Sequence, residues 1–194
     1  MDDGVGLENQ CSDLSLPEVR ILSSPQMQEK HPFGVFIPKH AKYLILGSFP
    51  GKPDKINNWF YGSPRNQFWP ILEAVYKQKL GTIHQKQYLL IKLHFAITDV
   101  ILSCVRLKGT NSDMNLTSIT YNTKAVERIL AENNIKKIFL TSRFSEKIFG
   151  REFKSVISLY PEVKLITLPS PSPRYAILSL SDKIKKYQEI FPKS

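Results

Sequence analysis

The chain has 194 residues, 42% hydrophobic and 23% charged, with 27 Lys and Arg against 17 Asp and Glu for a net charge of +10. That is enough for one domain with a sizeable core, and no apolar run reaches the roughly 18 residues that would span a membrane. The opening "MDDGVGLENQ" is acidic and polar, so a secretory signal is not expected.

Residues 1–29 hold six acidic residues and only Arg20, with little periodicity, and read as a flexible acidic tail. The remaining 30–194 carry 26 Lys and Arg against 11 Asp and Glu, a net of +15. Such an excess favours a polyanionic partner, although a basic surface can also serve solubility alone. Within that body "AKYLILGSF" (41–49) ends an apolar run in glycine and predicts a buried strand. "NQFWPILEAVYKQK" (66–79) and "HQKQYLLIKL" (84–93) predict helices, with Pro70 acceptable in a first turn. "HFAITDVIL" (94–102) predicts a strand leading into a loop. An amphipathic helix (123–134), a strand (136–141), a short helix (143–153), a strand (163–168) and a capped terminal helix (179–191) follow. Helices alternating with short buried strands imply a three-layer α/β/α domain around a mostly parallel four-stranded sheet. Ligands of such sheets bind beyond the carboxyl ends of the strands. The loops at 47–66, 98–117 and 168–176 are therefore expected to converge on one site.

The chemistry expected there is sparse in charge. His31, His40, His84 and His94 show no metal spacing, and Cys11 and Cys104 form no disulfide or zinc framework, which fits a reducing, cytoplasmic compartment. "GSFPGK" lacks the length of a phosphate loop and the Ser or Thr after lysine. Carboxylates near the loops are Asp54, Asp99 and Asp113. The loop after the first strand, however, crowds Trp59, Phe60, Tyr61, Phe68 and Trp69 around Asn66 and Arg65. Large π-faces beside polar side chains point to a pocket for a flat ligand.

Four ordered segments, "ILGSFPG", "FYGSPRNQFWPIL", "DVILSCVRLKGTNSDMNL" and "LPSPSPRYA", resemble the successive motifs of the uracil-DNA glycosylase superfamily. The similarity runs from about His31 to Phe191 and is greatest to its hypoxanthine (deoxyinosine) DNA glycosylase branch. The resemblance implies a monofunctional hydrolase of base excision repair that flips a deaminated nucleotide out of DNA, with neither metal nor cofactor. It implies a monomer acting on damaged double- or single-stranded DNA, nucleoid-associated if bacterial. By the same resemblance Tyr61 stacks on the extruded base, unless it is a core aromatic. Phe49 stands where mismatch-specific relatives hold the hydrolytic water with Asn, so that work passes to Asn66, which can equally cap a helix beginning at Gln67. Main-chain groups of Gly47, Ser48, Phe49, Pro50 and Gly51 would hold the leaving base, with Thr98 or Asp99 reading its edge unless Asp99 is only a turn residue. Ser170 and Ser172 would meet phosphates, and Arg174 and Tyr175 would fill the gap in the duplex. Arg65 and the lysines Lys183, Lys185 and Lys186 would add attraction, unless those lysines are simply solvated.

Three departures from the branch pattern bear on this reading. Ser63 replaces the His of "HPRN", Thr98 the Trp of "WDV", and Thr141 the Asn of "FNG". Two alternatives therefore stay open: a glycosylase preferring uracil or another lesion, and a glycosylase-like DNA-binding protein without catalysis. No lysine stands where a Schiff-base nucleophile would be expected, so strand-cleaving lyase activity is not.

Overall fold

A computed structural model describes residues 1, 27–52, 58–107 and 112–193. Most of the acidic stretch before residue 27, with Cys11, and Asp54 of the first loop lie outside the described residues. Strands β2 (Tyr43–Gly47), β3 (Phe95–Asp99), β6 (Lys137–Leu140) and β7 (Lys164–Thr167) form a sheet in the order β3-β2-β6-β7, every pair parallel. The strands need helical crossovers to run parallel. The sheet is covered on both faces.

Alternation along the strands sorts the layers. Leu44 and Leu46 of β2 and Ile138 and Leu140 of β6 face α3 (Thr123–Glu132), α4 (Arg143–Glu152) and α5 (Lys154–Ile157), burying Val126, Ile129, Phe149 and Val156. Ile45, Phe95, Ile97 and Phe139 face the other way, against α1 (Phe68–Tyr76), α2 (Ile83–Lys92) and α6 (Leu180–Ile190). Side chains one residue apart on a strand point to opposite faces, and both faces are apolar here. Pro70 sits at the third position of α1, where its missing N–H costs no helical bond. Thr82, Ser142 and Ser179 each open a helix with a reciprocal capping box.

The segment 98–117 differs from expectation. It is not one loop after a strand. After Asp99 the chain leaves the parallel sheet and forms β4 (Ile101–Arg106), which pairs antiparallel with β1 (Gln28–Lys30) and with β5 (Leu116–Tyr121). The expected boundary at residue 30 falls inside β1, and the Glu29 carboxylate accepts from the Arg106 guanidinium at 3.1 Å. This second sheet packs Val100, Ile101, Cys104 and Leu116 into the same core as α3 and α4.

Candidate active site

At the carboxyl ends of β2, β3 and β6 the three loop regions converge on one open cavity of about 450 Å³. Its lining comes from residues 48–51, Tyr61, Ser63, Arg65, Asn66, Asp99, Asp113, Thr141, Ser142 and 170–174. Asp99 supplies the floor and is only 5% exposed. Its Oδ2 lies 2.8 Å from His31 Nε2. His31 Nδ1 accepts from the N–H groups of Phe33 and Gly34, at 3.3 and 3.1 Å, so the network assigns the ring proton to Nε2, which donates to Asp99. His31 was missed in the sequence because its partner lies 68 residues away.

Gly47 lies directly under this carboxylate. A Cβ there would stand 2.1 Å from Asp99 Oδ1 and 2.6 Å from the Tyr61 hydroxyl. Only a glycine lets both groups approach the strand end so closely. The adjoining loop is fixed at two more points. Ser48 Oγ donates to Asp113 Oδ1 at 2.8 Å, and Arg106, held by Glu29, donates to the Pro50 carbonyl at 3.1 Å. Burial pushes the Asp113 carboxyl up to about 6, against the lowering effect of the Ser48 hydrogen bond. Arg106 and Asp113 therefore contribute a loop clamp and a pocket acid, neither of which was assigned from the sequence.

Of the five crowded aromatics, only Tyr61 lines the cavity. Trp59, Phe60, Phe68 and Trp69 are core residues at 8% exposure or less, so the expectation of a broadly aromatic pocket is corrected. The reason is packing: Trp59 stacks on Trp69, and Trp69 Nε1 donates to the Phe60 carbonyl at 2.8 Å. Tyr61 itself takes φ 54°, a left-handed conformation costly for an aromatic residue and of the kind found at functional sites. It stacks on Phe68 with ring centroids 4.2 Å apart. Its hydroxyl lies 2.9 Å from Thr141 Oγ1, which donates in turn to the Leu46 carbonyl. Burial and the nearby Asp99 hold the phenol well above its ordinary range, so it stays a proton donor. Phe49 also lines the cavity, edge-on to His31. Thr98 does not. Fully buried, it donates to the Gly34 carbonyl and accepts from Asn122 Nδ2, so it reads no ligand.

Asn66 lines the cavity just before α1. The helix begins at Phe68, one residue later than expected, and Asn66 Oδ1 accepts from the Phe68 N–H at 2.9 Å. The N-cap position is Gln67 and not Asn66; the Asn66 bond instead satisfies the N–H of the first helical residue and fixes the amide while leaving the oxygen a second lone pair. Opposite, the Ser170–Arg174 loop forms the other wall. Ser170 and Ser172 accept from main-chain N–H groups of their own loop at 3.3 Å, which shapes it and leaves both hydroxyls able to donate. Arg65 and Arg174 are exposed at the rim, and Tyr175 is half-buried. Lys183 is not a surface lysine. It is 1% exposed and donates to Gln67 Oε1 at 2.7 Å and to the Ser172 carbonyl at 3.3 Å. Lys185 and Lys186 remain exposed. Among the described residues no group of three or more His, Cys, Asp or Glu could hold a metal ion.

A parallel sheet with a polar cavity among its carboxyl-end loops is the arrangement in which α/β proteins place their ligand sites. The chain's family is shown directly: residues 33–192 match the model of the Uracil DNA glycosylase superfamily, and the chain belongs to that superfamily. In general terms it is a DNA glycosylase of the repair type. The fold is similar to the solution NMR structure of a proposed uracil DNA glycosylase from Methanosarcina acetivorans, with TM-score 0.64 at 19% identity over 84% of this chain and 98% of that one. No curated protein matches the chain. Among the described residues no helix is long and apolar enough to cross a membrane.

Proposed function

We propose that the chain is a monofunctional DNA glycosylase that hydrolyses the N-glycosidic bond of a deaminated base flipped out of DNA, with hypoxanthine favoured. The observation that carries this reading is the Asp99 carboxylate, held by His31 and facing the cavity above Gly47. Deamination turns an exocyclic amine into a carbonyl and places a hydrogen on the neighbouring ring nitrogen. A fixed carboxylate accepts from that N–H and repels the bare lone pair that adenine presents at the same position. A site built to hydrogen-bond one partner rejects the other by about four orders of magnitude. The N–H groups of Ser48 and Phe49 are the candidate donors to the carbonyl side and to the departing base. Tyr61, backed by Phe68, offers its pocket face for stacking.

In the reaction the bond from C1′ to the base nitrogen breaks and its electron pair leaves with the base. Water oxygen then bonds to C1′, and the water's proton passes to the departing base or solvent. Asn66 Oδ1, already oriented by the Phe68 N–H, accepts from that water and aims it. An amide takes no full proton, so catalysis rests on positioning and electrostatics and is slow. Arg65, Arg174, Ser170 and Ser172 hold the DNA backbone, and a monomer suffices. Ile177, 82% exposed beside this loop, joins Arg174 and Tyr175 as a candidate to fill the vacated stack. Alkaline cleavage of duplexes carrying hypoxanthine, uracil, xanthine or ethenocytosine tests the reading. Excision of hypoxanthine above the others supports it, uracil first shifts the preferred base, and no excision leaves a DNA-binding protein without catalysis.

A further inference from the structure

Away from the pocket floor lies a buried cation. Lys183 stands in the first turns of α6, after the Ser179 cap, and is 1% exposed. Among the described residues no carboxylate pairs with it. Its ammonium meets only neutral partners: Gln67 Oε1 at 2.7 Å, the Ser172 carbonyl at 3.3 Å and the Tyr175 ring at 5.3 Å. Burial lowers its affinity for the proton, and a cation near a helix N-terminus also faces the positive end of the helix dipole. A leucine would fill this space without either cost. The placement calls for a reason beyond packing.

The partners supply it. Gln67 follows Asn66 directly, and its own N–H donates to the Pro171 carbonyl at 2.9 Å. One turn after Lys183, the Tyr187 hydroxyl donates to the Pro169 carbonyl at 2.9 Å. Three connections thus bind the 169–172 backbone to α6 and to the start of α1, and Lys183 alone among them touches both the loop and Gln67. We propose that Lys183 is a positioning residue that couples the DNA-facing Ser170–Arg174 loop to the Asn66 end of α1, so that DNA and the water-orienting amide keep one fixed relation. This rests on the glycosylase reading above. The energetic logic is that of misplacement: an error of about 1 Å between bound substrate and a catalytic group can cost on the order of a hundredfold in rate.

Lys183→Met keeps the stem and removes the ammonium. Amide hydrogen exchange at Gln67, Ser172, Arg174 and Tyr175 is expected to quicken by roughly tenfold. Single-turnover excision at saturating protein should fall by about tenfold or more. Affinity for undamaged duplex should stay within about twofold, with an unchanged salt slope, because no phosphate contact is lost. Gln67→Ala, which removes the acceptor and keeps the lysine, should reproduce the loosened loop, and the double variant should lose little more than either single one. It also serves if Lys183→Met fails to fold. Unchanged exchange overturns the proposal, as does unchanged excision, and a salt slope reduced by about one would make Lys183 a phosphate contact instead. Should the unaltered protein excise no base, the glycosylase reading falls, and the exchange measurement still decides whether the latch exists.

Discussion

The floor of the cavity and its rim are built on opposite plans. On the floor four polar groups are tied down: Asp99 by His31, Asp113 by Ser48, the Pro50 carbonyl by Arg106, and Tyr61 by Thr141. At the rim Arg65 and Arg174 stand exposed to solvent. Fixed dipoles in a shielded site discriminate between similar bases because nothing can rearrange to accept the wrong one. Exposed guanidiniums on flexible stems suit a backbone that must be gripped in any sequence and released. Disturbing the floor should therefore cost rate and specificity, and disturbing the rim should cost affinity and salt response.

The largest effect is expected from Gly47→Ala. Its methyl would collide with Asp99 Oδ1 and the Tyr61 hydroxyl, and single-turnover excision should fall by about three orders of magnitude. Binding to undamaged duplex should hardly change, since the rim is untouched. Equal losses in rate and in undamaged-duplex affinity would erase the distinction between the two regions.

Asn66→Ala comes next. If the amide orients water, excision should drop by about two orders of magnitude while binding to uncleavable lesion DNA persists. The lost bond to the Phe68 N–H should cost roughly 1 kcal/mol in denaturant unfolding. Asn66→Asp keeps an acceptor for both the Phe68 N–H and the water, and should preserve folding and some excision. A full rate in Asn66→Ala would leave this residue with only a structural role at the helix start.

Asp113 makes the floor sensitive to pH. Its carboxyl is raised by burial to about 6 in the folded protein, above the ordinary value of about 4 in an unfolded chain. The folded state thus binds the proton more tightly, so this group's contribution to stability is fully present below about pH 4 and is lost as pH rises through 6. Melting curves of Asp113→Asn across that range should lack this part of the slope. An identical pH dependence in both proteins would mean that Asp113 is not shielded.

The rim yields the smallest effects. Arg174→Ala should weaken binding by only a few-fold and lower the salt slope by about one if it grips a phosphate. If instead it fills the stack, its loss should hurt excision from well-paired lesions more than from single strands, because unstacking costs least where pairing is weak. Equal loss on both substrates identifies the phosphate role.

Much of this contrast was legible in the sequence, and unevenly so. The strands 43–47, 95–99 and 137–140 stand out because both sheet faces are covered and their runs Leu44–Leu46, Phe95–Ile97 and Ile138–Leu140 are apolar without a break. β1 and β4 did not, because "QEK" is short and polar and "ILSCVR" mixes both characters within an edge sheet. The pocket loops at 47–66 and 168–176 were legible from their glycine and proline content, whereas 98–117, with β4 inside it, was not. Their clamps were not: the His31–Asp99, Ser48–Asp113 and Arg106–Glu29 pairs span 68, 65 and 77 residues, beyond any local pattern. Lys183 misled for the opposite reason. A lysine in an amphipathic helix reads as solvated unless the loop that covers it is already known.

In the proposed function Asp99, fixed by His31 above Gly47, makes this pocket select deaminated bases. The most direct test is single-turnover excision from two duplexes identical except for hypoxanthine or adenine at one position, using the unaltered protein and Asp99→Ala. Measurable excision of hypoxanthine is expected, with adenine slower by about four orders of magnitude and a preference that collapses in Asp99→Ala. Excision of both bases at similar rates by the unaltered protein, or a preference that survives in Asp99→Ala, would contradict that role.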